Sequence, residues 1–366
     1  MRLLVTTTLS PNQLRAHLDP IVAIPEVEEI VLVSDEEPPP LPKLVSVVPS
    51  RTEKRLLGRA GSKLVHSARL ARRLHPAWIL SYNIMPHGVN GLVAGRVSGS
   101  RTIYHMIGGE TEWRGGGWES ENAVLGRLRR PVPALERALL GIMRRTDVVC
   151  TMGTTARMRL LAAGLDPRKV VVAPPAIDIK RFSPAPSAAS RPYDLMTAGR
   201  LVPAKRLHDF IAVVCKLRAT RPELQAAIAG AGPLERELRA EASRRGVGGA
   251  IDFLGPKQHI EDVYRSARVF LLTSAFEGFS VALSEALACG LPAVVTDVGD
   301  LRDLILDGQN GHVCATGDVN RLAGCAERLL ADGRTYEQAS KNARRAALQR
   351  SVPTLTTLYR RILVEE

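Results

Sequence analysis

The sequence predicts an α/β protein with two domains, each built on a doubly wound parallel sheet, and three observations lead to this fold class. The chain has 366 residues, which at about 150 residues per domain suggests two domains. Apolar residues make up 45% and charged residues 24%, so a sizeable core is expected and a disordered or fibrous protein is excluded. Short β-branched segments alternate with helical patterns along almost the whole chain, which is typical of parallel α/β layers.

The strands are predicted where short runs of β-branched and other apolar residues recur. In the first half they are Leu3–Thr7, Glu29–Val33, Val45–Val48, Trp78–Tyr82, Thr102–Met106, Asp147–Thr151 and Val170–Ala173. In the second half they are Asp194–Ala198, Gln225–Ala229, Ile251–Leu254, Val269–Thr273 and Ala293–Thr296. The clearest helices are expected at Arg51–Leu74 and Arg206–Leu217.

Several classes of protein are excluded by composition. The sequence contains no window of about 18 unbroken apolar residues, so no membrane-spanning helix is predicted. The apolar run at the N terminus is too short for the core of a secretory signal. The five cysteines are widely spaced without a Cys-x-x-Cys pair, which argues against disulfides or structural zinc and favours reduced thiols in a cytoplasm.

The net charge of +13 is concentrated in residues 1–185, which hold 26 basic and 16 acidic residues. Such a surface attracts polyanions. Aromatic residues are only 4% and no nucleic-acid-binding signature occurs, so phosphates or an anionic membrane are expected as partners rather than nucleic acid.

The richest stretch of the second half runs from Thr273 to Pro292. A strand ends near Ser274, a turn containing Gly278 follows, and a helix is predicted to begin near Ser280. The N terminus of a helix exposes unpaired N–H groups and the positive end of its dipole, and both suit a phosphate.

Two carboxylates accompany this helix start. Glu277 precedes the helix, and Glu285 lies about one and a half turns inside it. Ionised carboxylates only accept hydrogen bonds, so beside a phosphate site they suit sugar hydroxyls. The alternative is that Glu277 stabilises the helix dipole and Glu285 is a solvated helix residue.

Two further loops directly follow predicted strands. Gly199–Lys205 carries Arg200 and Lys205 where a nucleotide diphosphate would lie; arginine can hold two phosphate oxygens, and lysine acts as a point charge. Ala229–Pro233 contains two glycines that permit a close backbone approach. The alternatives are ordinary surface charge for the cations and a tight turn for the glycines.

Taken together, residues from Gly199 to about Leu330 resemble the donor-binding domain of glycosyltransferase family 4, retaining enzymes with two Rossmann-like domains (the GT-B fold). The resemblance depends on the order and spacing of six short motifs. They are Gly-Arg-Leu with a following lysine at Gly199–Lys205, Ala-Gly-x-Gly-Pro at Ala229–Pro233, Phe-Leu-Gly at Phe253–Gly255, Glu-x7-Glu at Glu277–Glu285, Ala-x-Gly-x-Pro at Ala288–Pro292 and Asp-Gly-x-x-Gly at Asp307–Gly311.

The resemblance implies a role for each matching position. Arg200 and Lys205 would neutralise the donor diphosphate, Glu277 would face the transferred sugar, and Glu285 would hold the ribose hydroxyls. The remaining donor-binding residues would be Gly199, Gly230, Gly255, Gly278, Phe279 and Ser280. The sequence departs from the family at Val298-Gly299-Asp300, where a second glycine and a later glutamate are common and Asp303 is the candidate substitute.

The resemblance also implies a domain plan. An acceptor-binding domain is expected over residues 1–183, a linker over 184–192, a nucleotide-sugar domain over 193–348, and a C-terminal helix over about 349–366 that packs back on the first domain. The run Ser183–Pro192, rich in Pro, Ala and Ser, is typical of such a linker.

In the first domain the resemblance is weaker, because threonines occupy the position of the family's glycine pair after the first strand. His105 ends a predicted strand where the family has a histidine near the transferred sugar, so it is expected to be catalytic. Acceptor-side candidates are His87 and two tryptophans of the glycine-rich stretch 108–119, Trp113 and Trp118; a merely flexible surface loop is the alternative for that stretch.

The helix predicted at Arg51–Leu74 is basic and amphipathic. Eight cations lie between Arg51 and Arg73, and apolar residues such as Leu56 and Leu57 recur at near-helical spacing. Peripheral contact with an anionic membrane through Arg51–Arg73 is one expectation. A helix packed on a sheet has the same pattern, so this alternative stays open.

The expected function is transfer of a sugar from a UDP- or GDP-sugar to a hydroxyl of a glycan, a lipid-linked or a small-molecule acceptor, with retention of configuration. No cofactor and no metal are expected, because the family is usually metal-independent and no Asp-x-Asp occurs. The alternatives are a nucleotide-sugar epimerase, a phosphorylase-like enzyme, or a non-catalytic protein that binds nucleotide-sugar or membrane. A nicotinamide dehydrogenase is disfavoured, since no Gly-x-Gly-x-x-Gly follows the first strand.

Overall fold

The computed structural model describes residues 1–114, 132–185 and 191–365, and it confirms the α/β fold class. The chain forms two compact units. The first contains Met1–Ala176 and Val352–Glu366, and the second contains Ile177–Ser351. The boundary falls after Ala176 rather than after residue 183, because Ile177 and Phe182 are buried in the core of the second unit.

Seven parallel strands form the sheet of the first unit. They are β1 (Arg2–Thr6), β2 (Glu29–Val33), β3 (Leu44–Val47), β4 (Trp78–Tyr82), β5 (Arg101–Met106), β6 (Val148–Thr151) and β7 (Val170–Val172). Their order in the sheet is β3-β2-β1-β4-β5-β6-β7. The order reverses between β1 and β4, as in a doubly wound sheet, in which ligands bind at the carboxyl ends of the strands beside the reversal.

Helices follow most strands of this unit: α1 (Pro11–Val22), α2 (Arg51–Leu74), α3 (Val89–Ser98), α4 (Pro133–Arg145) and α5 (Thr154–Ala162). Helix α2 has the predicted bounds because both ends carry sequence signals. Ser50 and Glu53 cap its start reciprocally, and His75 ends it in the left-handed conformation, with φ of 44°. Gly58, with φ of 69°, interrupts the helix after its first two turns.

Six parallel strands form the sheet of the second unit. They are β8 (Tyr193–Ala198), β9 (Ala226–Ala229), β10 (Ile251–Gly255), β11 (Ala267–Leu272), β12 (Ala293–Thr296) and β13 (Gly311–Cys314). Their order is β10-β9-β8-β11-β12-β13, so the reversal lies between β8 and β11. Strand β13 at the sheet edge was not predicted.

The helices of the second unit are α6 (Leu207–Arg218), α7 (Glu235–Arg244), α8 (Ile260–Arg265), α9 (Val281–Ala288), α10 (Val319–Ala331) and α11 (Gly333–Leu348). Helix α12 (Val352–Arg360) belongs to the first unit, where Leu355 and Tyr359 enter the core. The Trp78 indole N–H donates to the carbonyl of Leu363, just after this helix, at 3.0 Å.

All five cysteines are free thiols. No helix in the described ranges has the length and apolar character needed to cross a membrane.

Candidate functional site

The central feature of the second unit is the meeting of two loops at the reversal of its strand order. One follows β8 and comprises Gly199–Arg206, here the cationic loop; the other follows β11 and comprises Thr273–Ser280, here the helix-start segment. Backbone contacts join them, since Ala275 N–H donates to the carbonyl of Ala204 at 2.8 Å. The Thr273 hydroxyl donates to the carbonyls of Lys205 and Arg206 at 3.0 and 3.1 Å. The two predicted donor motifs therefore lie side by side.

The functional side chains of these loops contact one another. Lys205 Nζ and Glu277 Oε1 form an ion pair, and the Ser274 hydroxyl donates to the same Oε1 at 2.7 Å. The side chains of Lys205 and Glu277 are only 19% and 8% exposed, so the pair is largely shielded from water and its attraction is stronger than at an open surface. Arg200 is exposed, and within the described ranges it has no ion-pair partner. Its guanidinium is therefore free to bind an anion.

Helix α9 begins directly after the helix-start segment. Ser280 caps it by accepting a hydrogen bond from Leu283 N–H at 3.3 Å, so the backbone of Gly278, Phe279 and Ser280 leads into the positive end of the helix dipole. The cationic loop, Glu277 and the start of α9 together form a site with the charges that a sugar diphosphate needs.

Gly299 and Asp300, which follow the neighbouring strand β12, support the helix-start segment. Sequence reasoning did not assign either residue to the site. Gly299 follows β12 with φ of 55°, and a Cβ atom there would lie 2.0 Å from the carbonyl oxygen of Glu277. Asp300 N–H donates to the carbonyl of Gly278 at 3.1 Å. The glycine at position 299, noted only as a departure from the family pattern, thus permits the close approach in which Asp300 N–H holds the helix-start segment.

Two of the predicted donor-binding glycines, Gly230 directly after β9 and Gly255 at the end of β10, support the cationic loop through close backbone packing. A Cβ atom on Gly230, whose φ is 134°, would lie 1.9 Å from the carbonyl oxygen of Gly199. Gly199 N–H donates to Ala229 O, and Gly230 N–H donates to Gly255 O, both at 2.9 Å. In this structure, therefore, Gly230 packs directly on the cationic loop, and Gly255 holds Gly230 by a backbone hydrogen bond.

Glu285 is a half-buried residue of α9, and sequence reasoning did not identify its neighbours. The Tyr264 hydroxyl of α8 donates to Glu285 Oε2 at 2.9 Å. Burial raises the pKa of Glu285 to about 7, while the hydrogen bond from Tyr264 and the nearby charge of Arg181 act in the opposite direction. No spacing motif of the sequence marks Tyr264 or Arg181 as part of this site.

The structure corrects the expectation for His105. Its imidazole is 1% exposed and lies in the core of the first unit, stacked on Tyr82 at 4.4 Å between ring centroids and close to His17 and Tyr359. Burial lowers the pKa of His105 well below its usual range, so the ring is neutral. The side chain points into the ring cluster beside α1 and α12, so it is enclosed in protein rather than open to a sugar.

The acceptor-side candidates are likewise corrected where they are described. His87 is fully buried, is hydrogen-bonded through Nδ1 to the Thr6 hydroxyl at 2.9 Å, and has its pKa lowered by burial to about 3. Trp113 packs in a core cluster that includes Tyr104 and Met143, so its ring has no free face for a sugar. Trp118 lies outside the described residues.

The first unit does have a pocket that the sequence did not predict, at the carboxyl ends of β1 and β2. Its volume is about 410 Å³, and its polar lining includes Thr7, Thr8, Asp35 and Arg59. Asp35 Oδ2 pairs with the buried Lys63 Nζ at 2.7 Å, whereas Asp35 Oδ1 is buried without a hydrogen-bond partner in the described part of the chain. An unpaired buried carboxylate oxygen is suited to a ligand hydroxyl.

Comparison with known sequences finds similarity mainly in the second unit. The family model of glycosyl transferases group 1 matches residues 178–346. The glycogen synthase of Mycobacterium tuberculosis H37Rv is 32% identical over 240 residues, covering 63% of this chain and 55% of the relative. The D-inositol 3-phosphate glycosyltransferase of Geodermatophilus obscurus is 31% identical over 236 residues, covering 58% and 52%. The chain thus spans about half the length of the curated relatives it matches.

Comparison with solved structures agrees on the fold. Anabaena HepE in complex with UDP and glucose matches with a TM-score of 0.80, 18% identity and full coverage of both chains. Sucrose-phosphate synthase from Thermosynechococcus elongatus matches with a TM-score of 0.78, 15% identity and full coverage of both chains. The chain therefore has the GT-B fold, and residues 178–346 of its second unit are similar to the glycosyl transferases of group 1.

Proposed function

We propose that this protein is a retaining, metal-independent glycosyltransferase that moves a sugar from a nucleotide diphosphate to a hydroxyl of an acceptor. The observation that carries the proposal is the contact between the cationic loop and the helix-start segment, which pairs Lys205 with Glu277 shortly before α9 and leaves Arg200 on the same loop as Lys205. These groups supply positive charge for a diphosphate and a carboxylate for sugar hydroxyls without a metal ion.

In the proposed reaction the C1–O bond of the donor breaks and its electron pair stays on the diphosphate. Arg200, Lys205 and the N terminus of α9 stabilise the charge that develops there. The acceptor hydroxyl attacks C1 from the same face and its proton passes to the departing phosphate oxygen, so configuration is retained. Glu277 uses Oε1 for Lys205 and Ser274, which leaves Oε2 for a hydroxyl of the transferred sugar.

The proposed donor is a UDP- or GDP-sugar. Glu285 would accept hydrogen bonds from the ribose hydroxyls, since its carboxyl lies on the same helix as the phosphate-binding N terminus. HepE, which shares the fold, was solved with UDP and glucose, and this is consistent with a nucleotide-sugar donor.

The proposed acceptor site is the pocket of the first unit lined by Thr8, Asp35 and Arg59. Its hydroxyl, carboxylate and guanidinium groups suit an acceptor that carries hydroxyls, such as a glycan, a lipid-linked sugar or a small polyol. This assignment replaces His87 and Trp113, which are buried.

Contact with an anionic membrane on the cytoplasmic side is a further proposal. Leu56 and Leu57 of α2 are 78% and 51% exposed, so this part of the helix is not packed on the sheet. Arg55 and Arg59, both exposed, flank them. Exposed leucines among cations suit an anionic lipid surface.

The function is tested in two steps. A thermal-shift screen of UDP-, GDP- and ADP-sugars identifies the donor, because a ligand of the folded state raises the melting temperature. The stabilising donor is then incubated with candidate acceptors, and released nucleoside diphosphate and the anomeric configuration of the product are measured by NMR. Product with retained configuration supports the proposal. Epimerised donor without transfer, transfer to free phosphate alone, or binding without turnover would instead support the epimerase, the phosphorylase or the non-catalytic alternative.

A further inference from the structure

The hydrogen bond between Tyr264 and Glu285 joins a rigid residue to a residue of the proposed donor site. Tyr264 is 1% exposed, and its ring packs edge-on against Phe182 and Phe270, with centroids 6.2 and 6.1 Å away. The ring is therefore fixed by the core, and its hydroxyl donates to Glu285 Oε2 at 2.9 Å. A phenol supplies one donor, so it occupies one lone pair of Oε2 and leaves Oε1 for another partner.

Some of the charged groups around this pair favour the ionised form of Glu285, and others disfavour it. Arg181 favours the ionised carboxylate of Glu285, although its guanidinium is shared with Glu261 at 2.9 Å, and the charge of Glu261 disfavours it. Cys289, which directly follows α9, has its thiol pKa raised by burial to about 12 and is neutral. Arg265 of α8 turns away from Glu285 to the carbonyls of Arg181 and Ser183.

We propose that Tyr264 is a positioning residue for ribose recognition: its hydroxyl holds the Glu285 carboxylate in the orientation that accepts hydrogen bonds from the ribose of the donor. The proposal deepens the proposed function and rests on its assignment of Glu285 to the ribose. Tyr264 lies outside the Glu-x7-Glu motif. The proposed role also has a consequence for donor binding that packing of the Tyr264 ring alone would not produce.

That consequence is a link between donor binding and protonation. Because burial raises the pKa of Glu285 to about 7, the carboxyl is partly protonated at neutral pH, and only the ionised form accepts from two ribose hydroxyls. Nucleotide affinity therefore rises as the pH increases through about 7. The hydrogen bond from Tyr264 favours the ionised form, so its removal moves the midpoint of this rise to a higher pH.

The experiment is calorimetric titration of the full chain with UDP and GDP and with their 2′,3′-dideoxy counterparts, from pH 6 to pH 9. For the wild type, the ribonucleotide that binds is expected to bind about tenfold more tightly at pH 8 than at pH 6, because the ionised fraction of Glu285 changes by that factor. In Tyr264→Phe, which keeps the buried ring, affinity at pH 7 falls severalfold and the pH midpoint rises by roughly half a unit or more. Tyr193→Phe is the matched control, since it removes an equivalent bond to Asp252, 2.8 Å long, and its profile should equal that of the wild type.

The outcomes separate this inference from the proposed function. A Tyr264→Phe profile that superimposes on the wild-type profile, while Glu285→Gln binds weakly, overturns the positioning role and leaves the ribose role intact. Equal affinity of the wild type for ribonucleotide and dideoxynucleotide overturns the ribose role and this inference with it. Binding of neither UDP nor GDP overturns both, together with the proposed donor.

Discussion

Lys205 and Glu277 form an ion pair that joins the cationic loop to the helix-start segment, across 72 residues of sequence. The pair places a cation from the loop after β8 beside a carboxylate from the loop after β11, at the strand-order reversal, and the exposed Arg200 lies on the same loop as Lys205. A diphosphate bound by Arg200 and the start of α9 would share Lys205 with Glu277. Binding of the phosphates and orientation of the sugar would then depend on one contact.

Removal of either cation is expected to slow sugar transfer. Arg200→Ala and Lys205→Ala should each reduce turnover by tens-fold or more, because a charge-stabilising donor at the leaving group is typically worth about 10²–10³ in rate. Steady-state release of nucleoside diphosphate measures the effect. Lys216→Ala, on the exposed face of α6, is the control and should keep full activity. Near-normal turnover in both site variants would remove the diphosphate assignment.

Gly230 is expected to be essential for the structure of the second unit. In Gly230→Ala the new Cβ would overlap the carbonyl oxygen of Gly199 at 1.9 Å, on a backbone with φ of 134°. The free energy of unfolding should fall by about 3 kcal/mol or more, measured by urea denaturation. Gly249→Ala is the matched control, because a Cβ there has no atom within 4 Å, and it should change stability little. Equal stability of the two variants would show that the loops after β8 and β9 do not pack as described.

Acid is expected to destabilise the first unit through its buried histidines. Burial lowers the pKa of His17 and of His87 to about 3, whereas in the unfolded chain these rings have values of about 6.5. Between these values the unfolded chain binds more protons, so the free energy of unfolding is largest above pH 6.5 and falls as the pH decreases towards 3.

The contribution of one ring can be isolated. His17→Leu should make the loss of stability between pH 6 and pH 4 shallower by about 1.4 kcal/mol per pH unit, measured by urea denaturation at each pH. The exposed His75 provides the control as His75→Asn, because asparagine tolerates its left-handed backbone and the slope should not change. A slope in His17→Leu equal to the wild-type slope would contradict the buried neutral state of His17.

The membrane proposal predicts sedimentation of the protein with vesicles that contain phosphatidylglycerol and not with vesicles of phosphatidylcholine alone. Leu56→Gln combined with Leu57→Gln should abolish sedimentation, and added salt should weaken it, because cations near the surface contribute about 1 kcal/mol each. Leu306→Gln changes an equally exposed leucine of the second unit and should have no effect. If the wild type stays in the supernatant at low salt, the proposal is wrong.

Much of the fold could be predicted because buried parallel strands are nearly continuous apolar runs. Strands such as Glu29–Val33 and Ala293–Thr296 have the predicted bounds for this reason. Strand β13 (Gly311–Cys314) was missed, since it has only four residues at a sheet edge and includes a glycine and a histidine.

Parts of the site could be predicted only as separate motifs. Lys205 and Glu277 each follow a strand, but their contact depends on β8 and β11 being neighbours, which local sequence does not specify. His105 was misplaced for a related reason. Strand β5 is buried on both faces, so no alternation of polar and apolar residues indicates which way its side chains point.

The most direct test of the central claim is a calorimetric comparison of the nucleoside diphosphate chosen by the donor screen with the corresponding monophosphate. If the cationic loop and the start of α9 bind a diphosphate, the wild type should bind the diphosphate at least about tenfold more tightly, which is about 1.4 kcal/mol. This preference should disappear in the Arg200→Ala, Lys205→Ala double variant. Equal affinities in the wild type, or a preference that survives in the double variant, would contradict the assignment.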